Sequence, residues 1–161
     1  MAKVEDYTSG RVQEQAAQVL AFLKSAEGSL AGSQQGDLLL AKIQAFQPQL
    51  IELTEAGQRI QAAEHCAVGP RACYRNTQGS KFTEAVFLDE LAVGMAAVGK
   101  AEMVGKEKAM KTLTKYKKNP IVLSTVSGKP MEICRSNTET CICWNMEKRG
   151  LMCLSRKEHG H

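Results

Sequence analysis

Aromatic residues are scarce, at 5% of the 161-residue chain. The core must therefore draw on Leu, Ile, Val, Ala and Met, and recognition of single-stranded nucleic acid by stacking, which needs exposed rings, is disfavoured. No apolar run approaches the roughly 18 residues needed to span a bilayer. The opening stretch, MAKVEDYTSGRVQEQ, lacks the basic-then-apolar order of a signal peptide, so a cytoplasmic protein with no membrane segment is expected. The sequence also lacks a CxxC pair, a CxxCH heme attachment site, a phosphate-cradling loop and a dinucleotide fingerprint. No Ser/His/Asp arrangement can be argued, and small-substrate catalysis finds little support.

What the chain does have is cysteine: Cys66, Cys73, Cys134, Cys141, Cys143 and Cys153. In a reducing compartment, six thiols favour metal binding or redox chemistry over a disulfide frame. The plainer reading, free cysteine as a small core residue, fits Cys143 and Cys153 taken singly. Charge is unevenly divided. Residues 1–65 hold 5 Lys/Arg against 8 Asp/Glu, whereas residues 66–161 hold 16 against 9 and carry every cysteine. Basic surroundings stabilise an anionic thiolate centre and guide an acidic partner.

Two cysteine pairs share one interval. Cys66 and Cys73 enclose AVGPRA, and Cys134 and Cys141 enclose RSNTET. Seven residues span about 10.5 Å along a helix and about 23 Å along a strand, while two sulfurs on one zinc ion lie within about 4.6 Å. The chain between them must loop, and both inserts contain turn-forming residues. Structural zinc prefers spacers of two to four residues. An iron–sulfur cluster accepts wider spacing, so the leading expectation is a [4Fe-4S] cluster on Cys66, Cys73, Cys134 and Cys141, with loop amides and Arg71 or Arg135 tuning its charge. Zinc on the same residues is the alternative cofactor, and His65, Cys143 and Cys153 are alternate ligands.

A second ligand set lies wholly in the C-terminal part. Cys134, Cys141, Cys143 and Cys153 form a C-x6-C-x-C-x9-C run. It resembles the C-x6-C-x2-C-x5-C cluster loop of endonuclease III-type DNA glycosylases, which implies only that such spacing can hold a cluster. The resemblance covers residues 134–153, differs in the last two spacers, and comes without the Gly-rich helix-hairpin-helix signature that carries DNA binding in that family. Cys141-Ile142-Cys143 also reads as a metal-free dithiol pair, and Trp144, the sole Trp, as a lid that excludes water or an ordinary core residue.

Periodicity predicts an α+β protein, mostly helical, as a single domain over 1–161. Apolar residues Val12, Ala16, Val19 and Leu23 mark a first helix. The regular series Leu39, Ile43, Phe46, Leu50, Leu53, Gly57 and Ile60 marks a second that is kinked or divided at Pro48. Together they predict a helical hairpin over 11–63, offering intramolecular packing or a homodimer seam. Residues 64–157 form the cysteine-bearing part, with a third helix over roughly 81–98, a lysine-rich helix over 106–118, and a frayed tail at 158–161 that includes His159 and His161. IVLSTV, Ser127-Gly128 and MEIC predict a β-hairpin, with TCICW as a third strand. Lys106, Lys108, Lys111, Lys115, Lys117 and Lys118 are either a solvated face or a dock for an acidic redox partner, with nucleic-acid phosphate disfavoured by the modest pI of about 8.7. The functional expectation is an iron–sulfur protein for electron transfer or redox sensing. A zinc-stabilised interaction module and a dithiol redox enzyme are the alternatives.

Overall fold

The strand formers that cluster in EAVFL, IVLSTV and KPMEICR build the centre of the molecule. The computed structural model describes residues 2–71, 84–115, 118–136 and 138–156. Among these, the helices are α1 (Val4–Thr8), α2 (Arg11–Ser25), α3 (Gln34–Gln44), α4 (Leu53–Ala62), α5 (Asp89–Ala97), α6 (Lys106–Thr114) and α7 (Ile142–Lys148). The strands are β1 (Gln49–Ile51), β2 (Cys66–Pro70), β3 (Glu84–Leu88), β4 (Glu102–Val104), β5 (Ile121–Val126), β6 (Lys129–Arg135) and β7 (Ser155–Arg156). They form one mixed sheet in the order β4-β2-β3-β6-β5-β1-β7, antiparallel except for the β1–β7 pair. Helix accounts for about 47% of the described residues and strand for 22%, so the sheet is a principal layer of an α+β fold rather than a small C-terminal addition.

The expected hairpin is β5–β6. Ser127 and Gly128 both take positive φ, 53° and 81°, as a two-residue turn matched to strand twist requires. Other expectations change. The long second helix is cut at Pro48: Gln47 turns left-handed at φ 44°, and Gln49–Ile51 pairs with β5 before α4 begins. The pattern assigned to a third helix divides into β3 and the shorter α5, because Val86, Phe87 and Leu88 are buried as strand residues. TCICW is no strand. It enters α7, with Cys141 as the residue that precedes the helix.

Register assigns the faces. Phe87 opposes Glu132, and Ala85 opposes Cys134, which opposes Val122. These residues share one face, while Cys66, Leu88, Val86, Ile133 and Leu123 share the other. Helix α6 covers the second face, held where buried Arg135 donates from Nε to the Leu113 carbonyl at 2.7 Å, and α4 packs beside it. On the first face, α1 is anchored where the Tyr7 hydroxyl donates to Glu132 Oε1 at 2.6 Å. Helix α5 packs on α1, and α2 packs between α1 and α7. The result is three layers with apolar material on both sides of the sheet.

Candidate functional site

The structure brings three cysteines together: Cys141 just before α7, Cys143 in its first turn, and Cys153 in the segment after it. They are buried with Leu23 of α2, Val122 of β5, Met146, Leu151 and Leu154, and the half-buried Cys134 of β6 packs against the same group. The local sequence explains the arrangement. Cys134 ends the inward-facing series on β6, Thr138, Glu139 and Thr140 turn the chain, and α7 then brings Cys143 and Met146 back onto the sheet. Gly150 takes φ 83° and ends this turn, so that Leu151 and Cys153 return beneath the helix. Cys153 Sγ donates to the Cys143 carbonyl at 3.5 Å.

Cys141 and Cys143 are pulled in opposite directions. The Cys143 thiol donates toward Cys141 and draws the Cys141 pKa below the ordinary thiol value, against the opposing effect of burial. The Trp144 and Cys143 N–H groups and the positive charge of Arg71 add to this effect, the N–H groups acting electrostatically without a formal capping bond. Cys143 is pushed well above its ordinary value, because it serves as the donor to Cys141, interacts with Cys153 and is buried. Arg71 is 3% exposed and is held by donation from Nη1 to the Arg135 carbonyl at 3.2 Å and from Nη2 to Thr140 Oγ1 at 3.5 Å. Trp144 packs against the cysteine group, its Nε1 donating to Ser136 Oγ at 2.8 Å.

Beside these sulfurs lies a cavity of about 210 Å³, walled by α2 and α3 and floored by the sheet, with Cys134, Cys141, Cys143 and Arg71 among its lining residues. Glu132 and Tyr7 also line it. The sequence reading missed this pair, although an acidic residue inside the apolar run MEIC is a signal: a carboxyl buried in a strand needs a hydrogen-bond partner.

Cys66 is elsewhere. Gly69 opposes Ala85, which opposes Cys134, and Cys66 stands three residues from Gly69. An odd separation puts Cys66 and Cys134 on opposite faces of the sheet, about 10 Å apart along the strands and about 10 Å across them. Pro70 and Gly69, expected to form a loop, are part of extended β2. Burial pushes the Cys66 thiol up, with Lys106 opposing the shift. Cys73 lies outside the described residues, as do Lys117, His159 and His161. His65 is exposed, and its backbone N–H and carbonyl are engaged by Asp89. Among the described residues, no group of three or more His, Cys, Asp or Glu side chains is arranged to hold a metal ion.

The lysine helix lies across the sheet from the cysteine group. Lys108, Lys111 and Lys115 pair with Glu102, Glu107 and Glu84 at 3.7, 3.6 and 3.4 Å, and Lys106 Nζ donates to the Gln61 carbonyl. Much of the basic face is thus answered by acids of the same chain, while Lys118 is exposed. Among the described residues, no helix is long and apolar enough to cross a membrane. Comparison of the chain with protein-family models, curated protein sequences and solved structures gave no significant match.

Proposed function

We propose that this chain is a thiol redox protein in which Cys141 is the reactive thiolate and Cys143 the thiol that closes a disulfide with it. One observation carries the reading: Cys141, Cys143 and Cys153 converge in one buried group beside a cavity, with Arg71 at Cys141. A thiolate is the attacking form of cysteine, and a nearby guanidinium and helix N–H groups are the surroundings that stabilise it. In the reaction, Cys141 and Cys143 lose two electrons and two protons, one S–S bond forms, and an acceptor takes up the electrons and protons. Cys153 supports the Cys143 side of the pair.

A second reading keeps the iron–sulfur cluster. It is favoured by Cys134, which packs against the apolar cluster that holds the same three cysteines, with Arg71 acting on Cys141 to offset its charge. The ligands are then Cys134, Cys141, Cys143 and Cys153, and zinc is the other metal this set suits. Either form works in electron transfer or redox sensing with a partner protein, in the cytoplasm, and such a partner approaches from the cysteine side of the sheet, opposite the lysines of α6.

Anaerobic purification followed by elemental analysis and redox titration decides between them. The dithiol reading expects metal-free folded protein that loses two hydrogens on oxidation, with the new crosslink mapped to Cys141 and Cys143. Brown protein with stoichiometric iron and sulfide, lost in Cys143→Ser and kept in Cys66→Ser, establishes the cluster instead. Metal-free protein that forms no crosslink at Cys141 refutes both.

A further inference from the structure

The cavity beside the cysteines deepens this reading, on which the following inference rests. Its volume is about 210 Å³. Val12, Ala16 and Val19 of α2, Leu39 and Ile43 of α3, and Phe46 give it apolar walls. Gln15, Gln18 and Lys42, all exposed, stand on the solvent side. The sheet side carries Cys141, Cys143 and Arg71. A closed apolar cavity of about 150 Å³ is enough to hold benzene, so this space suits a ring or short branched chain bearing one small polar group.

We propose that this cavity is the substrate site of the redox centre, and that its substrate is a small organic hydroperoxide with an apolar body. Cys141 is only 8% exposed, and the cavity is its approach. A folded partner's disulfide does not fit into a space of about 210 Å³, whereas a hydroperoxide brings its reactive O–O bond on the end of an apolar group. The walls hold that group by removing it from water, and the polar end meets sulfur and guanidinium.

The chemistry balances. The Cys141 thiolate attacks the terminal oxygen, so an S–O bond forms and the O–O bond breaks. The leaving alkoxide develops its charge near the Arg71 guanidinium and takes up the proton that Cys141 had given up. Cys143 then attacks the Cys141 sulfur, the S–S bond forms, the S–O bond breaks, and the Cys143 proton leaves with hydroxide as water. One hydroperoxide and two thiols become one alcohol, one water and one disulfide.

The test is single-turnover oxidation of the reduced full chain by cumene hydroperoxide and, separately, by hydrogen peroxide. Thiol loss, cumyl alcohol and the mass of the crosslinked peptide are followed. The expected result is one alcohol per two thiols lost, with cumene hydroperoxide about tenfold or more faster, as removal of a phenyl-sized group from water predicts. In Ala16→Phe, which fills the cavity from α2, the ratio of the two rates falls toward one. Val19→Phe makes the same test from a half-buried position if Ala16→Phe does not fold. Equal rates in the natural sequence, or a preference that survives the filled cavity, overturn the substrate assignment while leaving the dithiol reading standing. Failure of both peroxides to join Cys141 to Cys143 overturns the dithiol reading and this inference with it.

Discussion

Replacing Tyr7 by Phe isolates one hydrogen bond. Tyr7 is 1% exposed, its ring meets Phe46 edge-on at 6.1 Å and 74°, and its hydroxyl donates to buried Glu132 at 2.6 Å. The substitution keeps the ring and its apolar contacts, removing only the oxygen. Helix α1 has five residues, far too short to persist alone, so its place on the sheet depends on such tertiary contacts. A hydrogen bond to a carboxylate contributes about 1.5–3 kcal/mol. Tyr7→Phe should therefore destabilise the protein by about 2 kcal/mol, a roughly 30-fold fall in the folding constant. Urea unfolding should show a lower midpoint at unchanged slope, and the melting temperature should fall by about 4–8 °C. In a double-mutant cycle, Glu132→Gln should show coupling to Tyr7→Phe of about 1 kcal/mol or more. A single-mutant loss below about 0.5 kcal/mol, with no coupling, would refute the claim that this bond fixes α1 to the sheet.

Three further outcomes follow from the geometry. Arg71→Met should slow alkylation of Cys141 by iodoacetamide near neutral pH and move its pH profile upward, because the positive charge favouring the thiolate is gone; an unchanged profile would remove Arg71 from the centre. Burial works to raise the Asp89 carboxyl, but the Lys129 hydrogen bond at 2.8 Å and the Glu64 and His65 N–H groups outweigh it and hold the carboxyl below its ordinary value. Its stabilisation is thus present above the ordinary carboxylate range and lost as pH falls through the lowered value. Asp89→Asn should cost about 1 kcal/mol at neutral pH and progressively less in acid, a trend that urea titrations at several pH values would reveal or exclude. A Cβ at Gly69 would collide with the Lys100 carbonyl and the Ala101 side chain, so Gly69→Ala should cost about 1–3 kcal/mol and loosen β4, measured by hydrogen exchange at Val68 and Met103.

The β5–β6 hairpin was legible because strand formers flank a turn dipeptide whose conformation is local. The α+β class followed from the change in periodicity after Pro120. Residues Leu39 to Ile60 misled because their helical spacing continues through Leu50 and Leu53, while the chain between them is claimed by pairing with β5, a partner some 70 positions away. EAVFL was absorbed into a helix for a similar reason: five apolar-rich residues fit either period, and only neighbours on both sides decide. Equal spacing of the two cysteine pairs carried no information about sheet parity, which puts Cys66 and Cys134 on opposite faces. The C-terminal run carried more, because Cys141, Cys143 and Cys153 belong to one short helix and its return. TCICW has the composition of a strand, yet the helix beginning at Ile142 is what directs N–H groups toward the Cys141 sulfur.

The enclosure of the cysteines has a consequence in time. Their cover comes from Leu23 on α2, more than a hundred residues earlier in the chain, and Arg149 Nε closes over the Leu23 carbonyl at 3.1 Å. Contacts of such separation close large loops and form late. During synthesis α2 must wait, its apolar stripe uncovered, until α7 has left the ribosome. Between the emergence of α7 and the docking of α2, the sulfurs later shut inside stand open to any oxidant, and a crosslink formed early would join whichever thiols meet first. On the dithiol reading proposed above, the order of burial and oxidation therefore sets which disulfide is made.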